Sequence, residues 1–478
     1  MNKLINTGIE YINRIDSLNN EVWIDGKKLT GKISEHPAFS GVLKSKAALY
    51  ELQNSKSEIF TFLSPITNTR VGFSFHQPTT KEDLEKRCFA TQEWAKTNLG
   101  LLGRSPDYVN TCIMALGVGE KVFNGENDNY GTHIRKIYEM AMENDLSFTH
   151  TLINPQVNRS IGYFEDSEKI IAAKIIRETS DGIIIKGARL LATQGGITDE
   201  VLVLPAGGNF IEDSYIFGFS IPSNSPGLRF ICRESFVNNL STFDSPLASK
   251  FEEMDSIIVF DDVLVPWERV FLYKNIDIAS KFYAETNFNT MLLYQAVARM
   301  IVKTEFILGV AESIVEAINI HEYQHVKDKM SEIISALEIM KSLHLSSRIN
   351  SKLDRWNTMV PDLKPLNVAI YYYPRIYPRL VEIIQLIGGS GLIMLPTEKQ
   401  FDSSIQTDLD DYLQCANATA EDRVKTFRLA WDLCMSSFGT RQTHFERYFF
   451  GDPVRIGMGL YNGYPKDQYL NIVKNFLS

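Results

Sequence analysis

The 478-residue chain carries 49 basic and 58 acidic side chains, a formal charge of −9, which argues against nucleic acid or an anionic membrane as its main partner. With 44% hydrophobic and 22% charged residues it has the balance of a soluble globular protein with room for two or three domains. No run of about 18 apolar residues occurs, and Met1-Asn2-Lys3-Leu4 leads into no apolar segment, so we expect neither a membrane span nor a secretory signal.

Residues 1–147 predict helices interrupted at Pro65, Pro78 and Pro106. The stretch 81–99 is one, and 132–144 another, with Ile134, Ile137, Tyr138 and Met142 on one face. Residues 148–275 predict short strands. The segments 169–177 and 183–186 flank Ser180-Asp181-Gly182, a hairpin signal, and 201–204, 215–221, 228–232 and 256–260 follow. Strands at this spacing suggest a small antiparallel barrel or sandwich. From 276 to 478 helices return. Leu293, Val297, Met300, Ile307, Ala311, Ile314 and Ile318 form a bundle seam; Met330, Ile334, Leu337 and Met340 mark a second helix, and 380–387 and 424–434 a third and fourth. The expected architecture is α+β: a helical domain, a β domain and an antiparallel four-helix bundle, meeting at a cleft suited to a cofactor.

The five cysteines (Cys88, Cys112, Cys232, Cys415, Cys434) are scattered, with no Cys-x-x-Cys pair. They suggest neither a disulfide framework nor a zinc site, and read as reduced thiols in a cytoplasmic protein. His321 and His325 have the i, i+4 spacing of a zinc helix, but the order His-Glu-Tyr-Gln-His is not His-Glu-x-x-His, and we expect no metal.

Some segments concentrate groups able to do chemistry. Gly103-Arg104-Ser105-Pro106-Asp107-Tyr108 sets a cation and a phenol four residues apart at a helix start; spacing alone favours a turn with a surface arginine. The polar stretch 148–159, from Phe148 through His150, Asn154, Pro155, Gln156, Val157 and Asn158 to Arg159, suits a ligand rich in carbonyl and imide edges, or a solvated connector, with about even weight. Lys186-Gly187-Ala188-Arg189, followed by Thr193-Gln194-Gly195-Gly196, allows close backbone approach but matches neither a Walker loop nor a dinucleotide fingerprint. Gly388-Gly389-Ser390-Gly391 reads as a helix cap, and Phe450-Gly451-Asp452-Pro453-Val454-Arg455 as a turn.

In this order the segments resemble the 4-hydroxyphenylacetate 3-hydroxylase family, across nearly the whole chain. Arg104 to Tyr108, His150 to Gln156, Lys186 to Arg189 with Thr193, Leu308-Gly309-Val310-Ala311 and Phe449-Phe450-Gly451-Asp452-Pro453 carry the likeness. The resemblance implies an acyl-CoA-dehydrogenase-like fold and a homotetramer or homodimer. It further implies reduced FAD (FADH2) delivered by a separate NAD(P)H-flavin reductase. With O2, a flavin C4a-hydroperoxide would hydroxylate a phenol ortho to its hydroxyl. Arg104, Tyr108 and His150 would surround the phenol, with Ala206 and Gly207 in a substrate loop. His150, Asn154, Gln156, Val157, Asn158, Arg159, Thr193, Gly451, Asp452, Pro453 and Val454 would contact FAD. An arginine favours the phenolate form by charge, and the imidazole exchanges a hydrogen bond with it near neutral pH. Tyr294 and Met300 stand where the related 4-hydroxybutyryl-CoA dehydratases hold a cluster with His and Cys, so no iron–sulfur cluster is expected. Two other readings are an acyl-CoA dehydrogenase-like enzyme acting on a thioester, with Glu446 as its carboxylate, and a flavin binder without catalysis.

Overall fold

The computed structural model describes residues 7–126, 128–157, 169–205, 212–237 and 241–478. Two compact units divide the chain: Met1–Phe306 with Arg348–Pro361, and Ile307–Ser347 with Asp362–Ser478.

The first unit opens with helices whose ends obey local rules. Lys81–Lys96 starts at a capping box between Thr80 and Asp83, and the chain leaves it through left-handed Leu99 and Gly100. Gly131–Asn144 stops at Asp145, also left-handed, with Ile134, Ile137, Tyr138 and Met142 buried as the periodicity predicts.

Among the described residues most strands lie in two larger sheets, beside the two-stranded pairs Thr61–Leu63 with Arg70–Gly72 and Lys352–Leu353 with Met359–Val360. One larger sheet runs in the order Lys27–Lys28, Val22–Ile24, Leu228–Cys232, Asp255–Pro266, Gly182–Thr193, Lys174–Glu178; the other Val270–Tyr273, Phe217–Pro222, Glu200–Val203, Phe148–Thr151. The hairpin predicted around Ser180-Asp181-Gly182 is present, with Thr179 N donating to Gly182 O. Phe219 of the second sheet meets Phe260 of the first edge-on, at 6.1 Å between ring centres. The barrel-like texture thus resolves into two facing sheets, and among the described residues no ladder closes them. Among the described residues Val22–Ile24 pairs in parallel with Leu228–Cys232, and Phe148–Thr151 with Glu200–Val203. Alternation cannot reveal either, because it reports which face is buried and not which strand lies alongside. Gly187, at φ +111°, approaches so closely that a Cβ there would lie 2.5 Å from Ala172 O.

The second unit is helical. It holds the end of Phe288–Ala317, most of Gln324–Ile349, then Leu363–Gly388, Ala420–Cys434, Ser437–Tyr448, Pro453–Gly463 and Asp467–Leu477. The third expected helix therefore begins much earlier than 380, carrying Pro374 and Pro378 inside it. Arg379 clasps Glu332 with Nε and Nη2, at 2.8 and 2.7 Å, tying two of these helices together. His321 lies in the turn before Gln324–Ile349, so it shares no helical face with His325.

Candidate functional site

Pro106 at the first position of the helix Pro106–Val118 lacks an N–H that would go unused there anyway, and Ser105 before it is extended. The chain thereby turns so that Arg104 folds back on the first helical turn. Its guanidinium carbon lies 4.7 Å from the Tyr108 ring centre. The Tyr108 ring in turn faces His150 at 5.8 Å, tilted by 59°. His150 is held by the strand Phe148–Thr151, in register with Leu202. The cation, phenol and imidazole predicted from sequence are therefore brought together, and Tyr108 and His150 are both buried. The bland alternative, a solvated surface arginine, does not describe half-buried Arg104 stacked on a buried ring.

Burial, and after it the charge of Arg104, hold the His150 pKa well below the ordinary imidazole range. The buried imidazole is thereby held toward its neutral form, in which it can still accept or donate a hydrogen bond. Its Nδ1 has no hydrogen-bond partner among the described residues. Burial also raises the pKa of Tyr108, against the pull of Arg104, so that group stays a neutral phenol. Tyr283, which sequence reading missed, has its pKa raised by burial too and feels Arg189, Cys112 and Tyr108. Its signal was slight: the second of two adjacent aromatics, Phe282-Tyr283, in the amphipathic helix Ile276–Glu285.

Thr193 stands in a bonded run beside this group. Its hydroxyl donates to Asp255 Oδ1 at 2.7 Å, and its carbonyl accepts from Thr149 Oγ1 at 2.8 Å. Asn154 Oδ1 accepts from Arg189, whose guanidinium lies 5.2 Å from the Phe217 ring centre. Gln156 and Val157 are exposed. Asn158, Arg159, Ala206 and Gly207 lie outside the described residues. Gly451 to Val454 belong to the second unit, where Asp452 Oδ1 accepts from Val454 N at 2.8 Å and caps Pro453–Gly463. Gly389 ends Leu363–Gly388, as the glycine cluster suggests, and Glu446 is buried in Ser437–Tyr448.

Behind Tyr108, Asp107 points the other way. Its carboxylate accepts from Ser105 Oγ and from Gln295 Nε2, the latter at 2.9 Å, with Arg87 nearby. Arg87 itself donates to His76 O at 2.6 Å and Thr111 Oγ1 at 2.8 Å. A second omission of sequence reading is the acidic run Glu252-Glu253-Met254-Asp255. Glu252 and Glu253 are buried there, and Glu253 accepts from the backbone N–H groups of Gly103 and Arg104. Three acids in four residues opening a strand was the signal available.

In the first unit a cation, a phenol and a buried imidazole converge, and the comparisons give the class of protein, a flavin-dependent aromatic hydroxylase. Residues 7–272 match the family model "4-hydroxyphenylacetate 3-hydroxylase N terminal", and 279–478 match "4-hydroxyphenylacetate 3-hydroxylase C terminal". The chain belongs to the 4-hydroxyphenylacetate 3-hydroxylase family. It is 53% identical over 473 residues, 98% of each chain, to a Bacillus subtilis protein named "Probable 4-hydroxyphenylacetate 3-monooxygenase". It is 48% identical over 475 residues, 98% of this chain and 96% of the other, to the Geobacillus 4-hydroxyphenylacetate 3-monooxygenase oxygenase component. A crystal structure of such an oxygenase component, complexed with FAD and 4-hydroxyphenylacetate, superposes with a TM-score of 0.94 at 41% identity, covering 99% of this chain and 98% of that one. An archaeal 4-hydroxybutyryl-CoA dehydratase from N. maritimus, 18% identical with a TM-score of 0.89 over 99% of this chain and 95% of that one, shares the fold alone.

Proposed function

We propose that this chain is the oxygenase component of a two-component flavin-dependent monooxygenase. It uses FADH2 and O2 to hydroxylate a phenol of the 4-hydroxyphenylacetate type ortho to its hydroxyl. The observation that carries the reading is the convergence of Arg104, Tyr108 and His150, in a chain whose relatives are named for this reaction.

The residues present fit a flavin. His150 Nδ1 is buried with no partner among the described residues, and Thr193, its hydroxyl hydrogen given to Asp255, keeps lone pairs to accept with. Within the first unit, His150, Asn154, Gln156, Val157 and Thr193 are the residues we assign to holding it. Bound reduced flavin supplies, with O2, an electrophilic oxygen atom. The chain does the rest. Arg104 binds the phenol oxygen and favours its phenolate form by charge. The Tyr108 hydroxyl donates a hydrogen bond without adding charge, and neutral His150 accepts or donates one without competing for the proton. The burial of Tyr108 and His150 excludes water from the reacting edge.

Support for a separate reductase is the name "oxygenase component" on the relatives. Support for an oligomer, a homotetramer or homodimer, is the exposed apolar face of Asp467–Leu477, with Leu470, Ile472, Val473, Phe476 and Leu477 all open. Support for a cytoplasmic setting is the scatter of five cysteines with no Cys-x-x-Cys pair, the pattern of reduced thiols. The change from helix to strand at Phe148, the return to helix at Ile276 and the family-model boundary support domains at 1–147, 148–275 and 276–478.

The test supplies FADH2 from a generic flavin reductase with NADH across para-substituted phenols and reads product mass. A gain of one oxygen is expected. Peroxide alone, with no FADH2 binding, would overturn the reading.

A further inference from the structure

We infer that Glu253 is a positioning residue that fixes where the Arg104 guanidinium stands relative to the strand end bearing Thr193; this rests on the proposed role of Arg104. Glu253 is wholly buried, between the short helix Ala248–Phe251 and the strand Asp255–Pro266. Its Oε2 takes the N–H of Gly103 at 2.9 Å, and its Oε1 the N–H of Arg104 at 2.7 Å. Capture of two consecutive amides by one carboxylate fixes both the position and the tilt of that backbone, and with them the direction in which the Arg104 side chain leaves it.

The carboxylate is itself held from both sides. Gln194 Nε2 donates to Oε1 at 2.9 Å, and Gln194 N donates to Met254 O at 2.7 Å. The Arg233 guanidinium donates to Glu252 Oε1 at 2.7 Å, to Glu253 O at 2.9 Å and to Asp255 Oδ2 at 3.1 Å. Asp255 then accepts from Thr193 Oγ1. Segment 252–255 is therefore tied to Thr193 and Gln194 on one side and to Gly103 and Arg104 on the other. Buried Lys46 is near enough to feel the Glu253 charge. Backbone N–H groups of a turn are ordinarily satisfied by carbonyls or water. Burying a carboxylate to hold them carries a large desolvation penalty, a choice that makes sense where a side chain must be set to within about half an ångström.

The experiment compares wild type, Glu253→Gln, Arg104→Ala and the double variant. It reads phenol hydroxylation, peroxide released per product, FADH2 binding and melting temperature. For Glu253→Gln we expect kcat/KM for the phenol to fall on the order of 10²-fold, as for a misplacement of about an ångström. Peroxide per product should rise while FADH2 binding stays as in wild type; melting temperature should fall, because one buried N–H loses its acceptor. In the Arg104→Ala background the same change should have no further effect, since the two act as one unit. Multiplying losses in the double variant, or unchanged coupling in Glu253→Gln, overturns the inference. Should Glu253→Gln fail to fold, Gln194→Met removes only one donor to Oε1 and should show the same signature more mildly; unchanged coupling there overturns it too. A wild-type chain that binds FADH2 but hydroxylates no phenol removes the role of Arg104 and this inference with it, and is told apart because the defect precedes any substitution.

Discussion

The Arg104 guanidinium lies over the Tyr108 ring, 4.7 Å from its centre, across the helix start at Pro106. Under the role proposed for Arg104, a phenol oxygen bound at this pair would meet a fixed positive charge whose orientation the ring maintains. Arg104→Ala should therefore lower kcat/KM for the phenol by on the order of 10²- to 10³-fold with FADH2 binding kept. Arg104→Lys should recover only part, because an ammonium lacks the planar fork that stacks on the ring. Steady-state rates beside a flavin-binding titration check both; an unchanged Arg104→Ala rate would remove the residue from the chemistry.

Tyr108→Phe keeps the ring beneath Arg104 and removes the hydroxyl. We expect a loss of about 2- to 10-fold in kcat/KM, the worth of one neutral hydrogen bond, with little change in melting. A loss as deep as that of Arg104→Ala would mean that the hydroxyl carries a proton rather than a hydrogen bond.

His150 gives a pH prediction. Its folded pKa lies well below the ordinary 6.5, so the folded chain stays neutral there while the unfolded chain takes up a proton. Its contribution to stability is present above about pH 6.5 and is lost as pH falls through that value toward the folded pKa. His150→Gln should thus lose less melting temperature than wild type between pH 7 and 5, a span set by that ordinary imidazole value. In the wild-type pH–rate profile no limb should appear near 6.5.

Lys46 runs over a different window. Burial lowers its pKa from 10.5 to about 7, although Asp199 and Glu253 pull the other way. The unfolded chain holds the proton up to its own higher pKa, so the wild type gains stability as pH rises from about 7 toward 10.5. Lys46→Met lacks this dependence. Its melting temperature relative to wild type should be highest near pH 7 and should decline as the solution becomes more alkaline; a constant difference would contradict the burial argument.

Phe476, 88% exposed on Asp467–Leu477, tests the oligomer. If that apolar face lies between copies, Phe476→Asp should reduce the mass measured by light scattering. An unchanged mass would place the contact elsewhere.

Much of this was legible in the letters because it is local. The hairpin at Gly182, the buried face Ile134, Ile137, Tyr138 and Met142, and the helix start at Pro106 each depend on residues a few positions apart, whereas the stacking of Arg104 on Tyr108 went against the surface arginine that spacing favoured. The Glu253 clamp joins residues 149 and 150 positions apart, and no periodicity encodes a partner at that distance. The neutrality of His150 was hidden for a related reason. A histidine in a polar stretch reads as solvated, and only the packing around Phe148–Thr151 shows that it is not.

The helix Gly8–Leu18 has a further consequence, in time rather than space. Its Arg14 pairs with Asp199, which lies 185 residues later in the chain. At a synthesis rate of 5–20 residues per second that partner arrives roughly 10–40 s after Arg14 itself. Until then the helix bearing Tyr11 and Ile15, both buried in the finished protein, packs against the neighbouring helix Pro37–Ser55 and the turn Ile33–Glu35. The first helices of this chain are thus a waiting platform during translation, completed only when the strands that hold the site have been made.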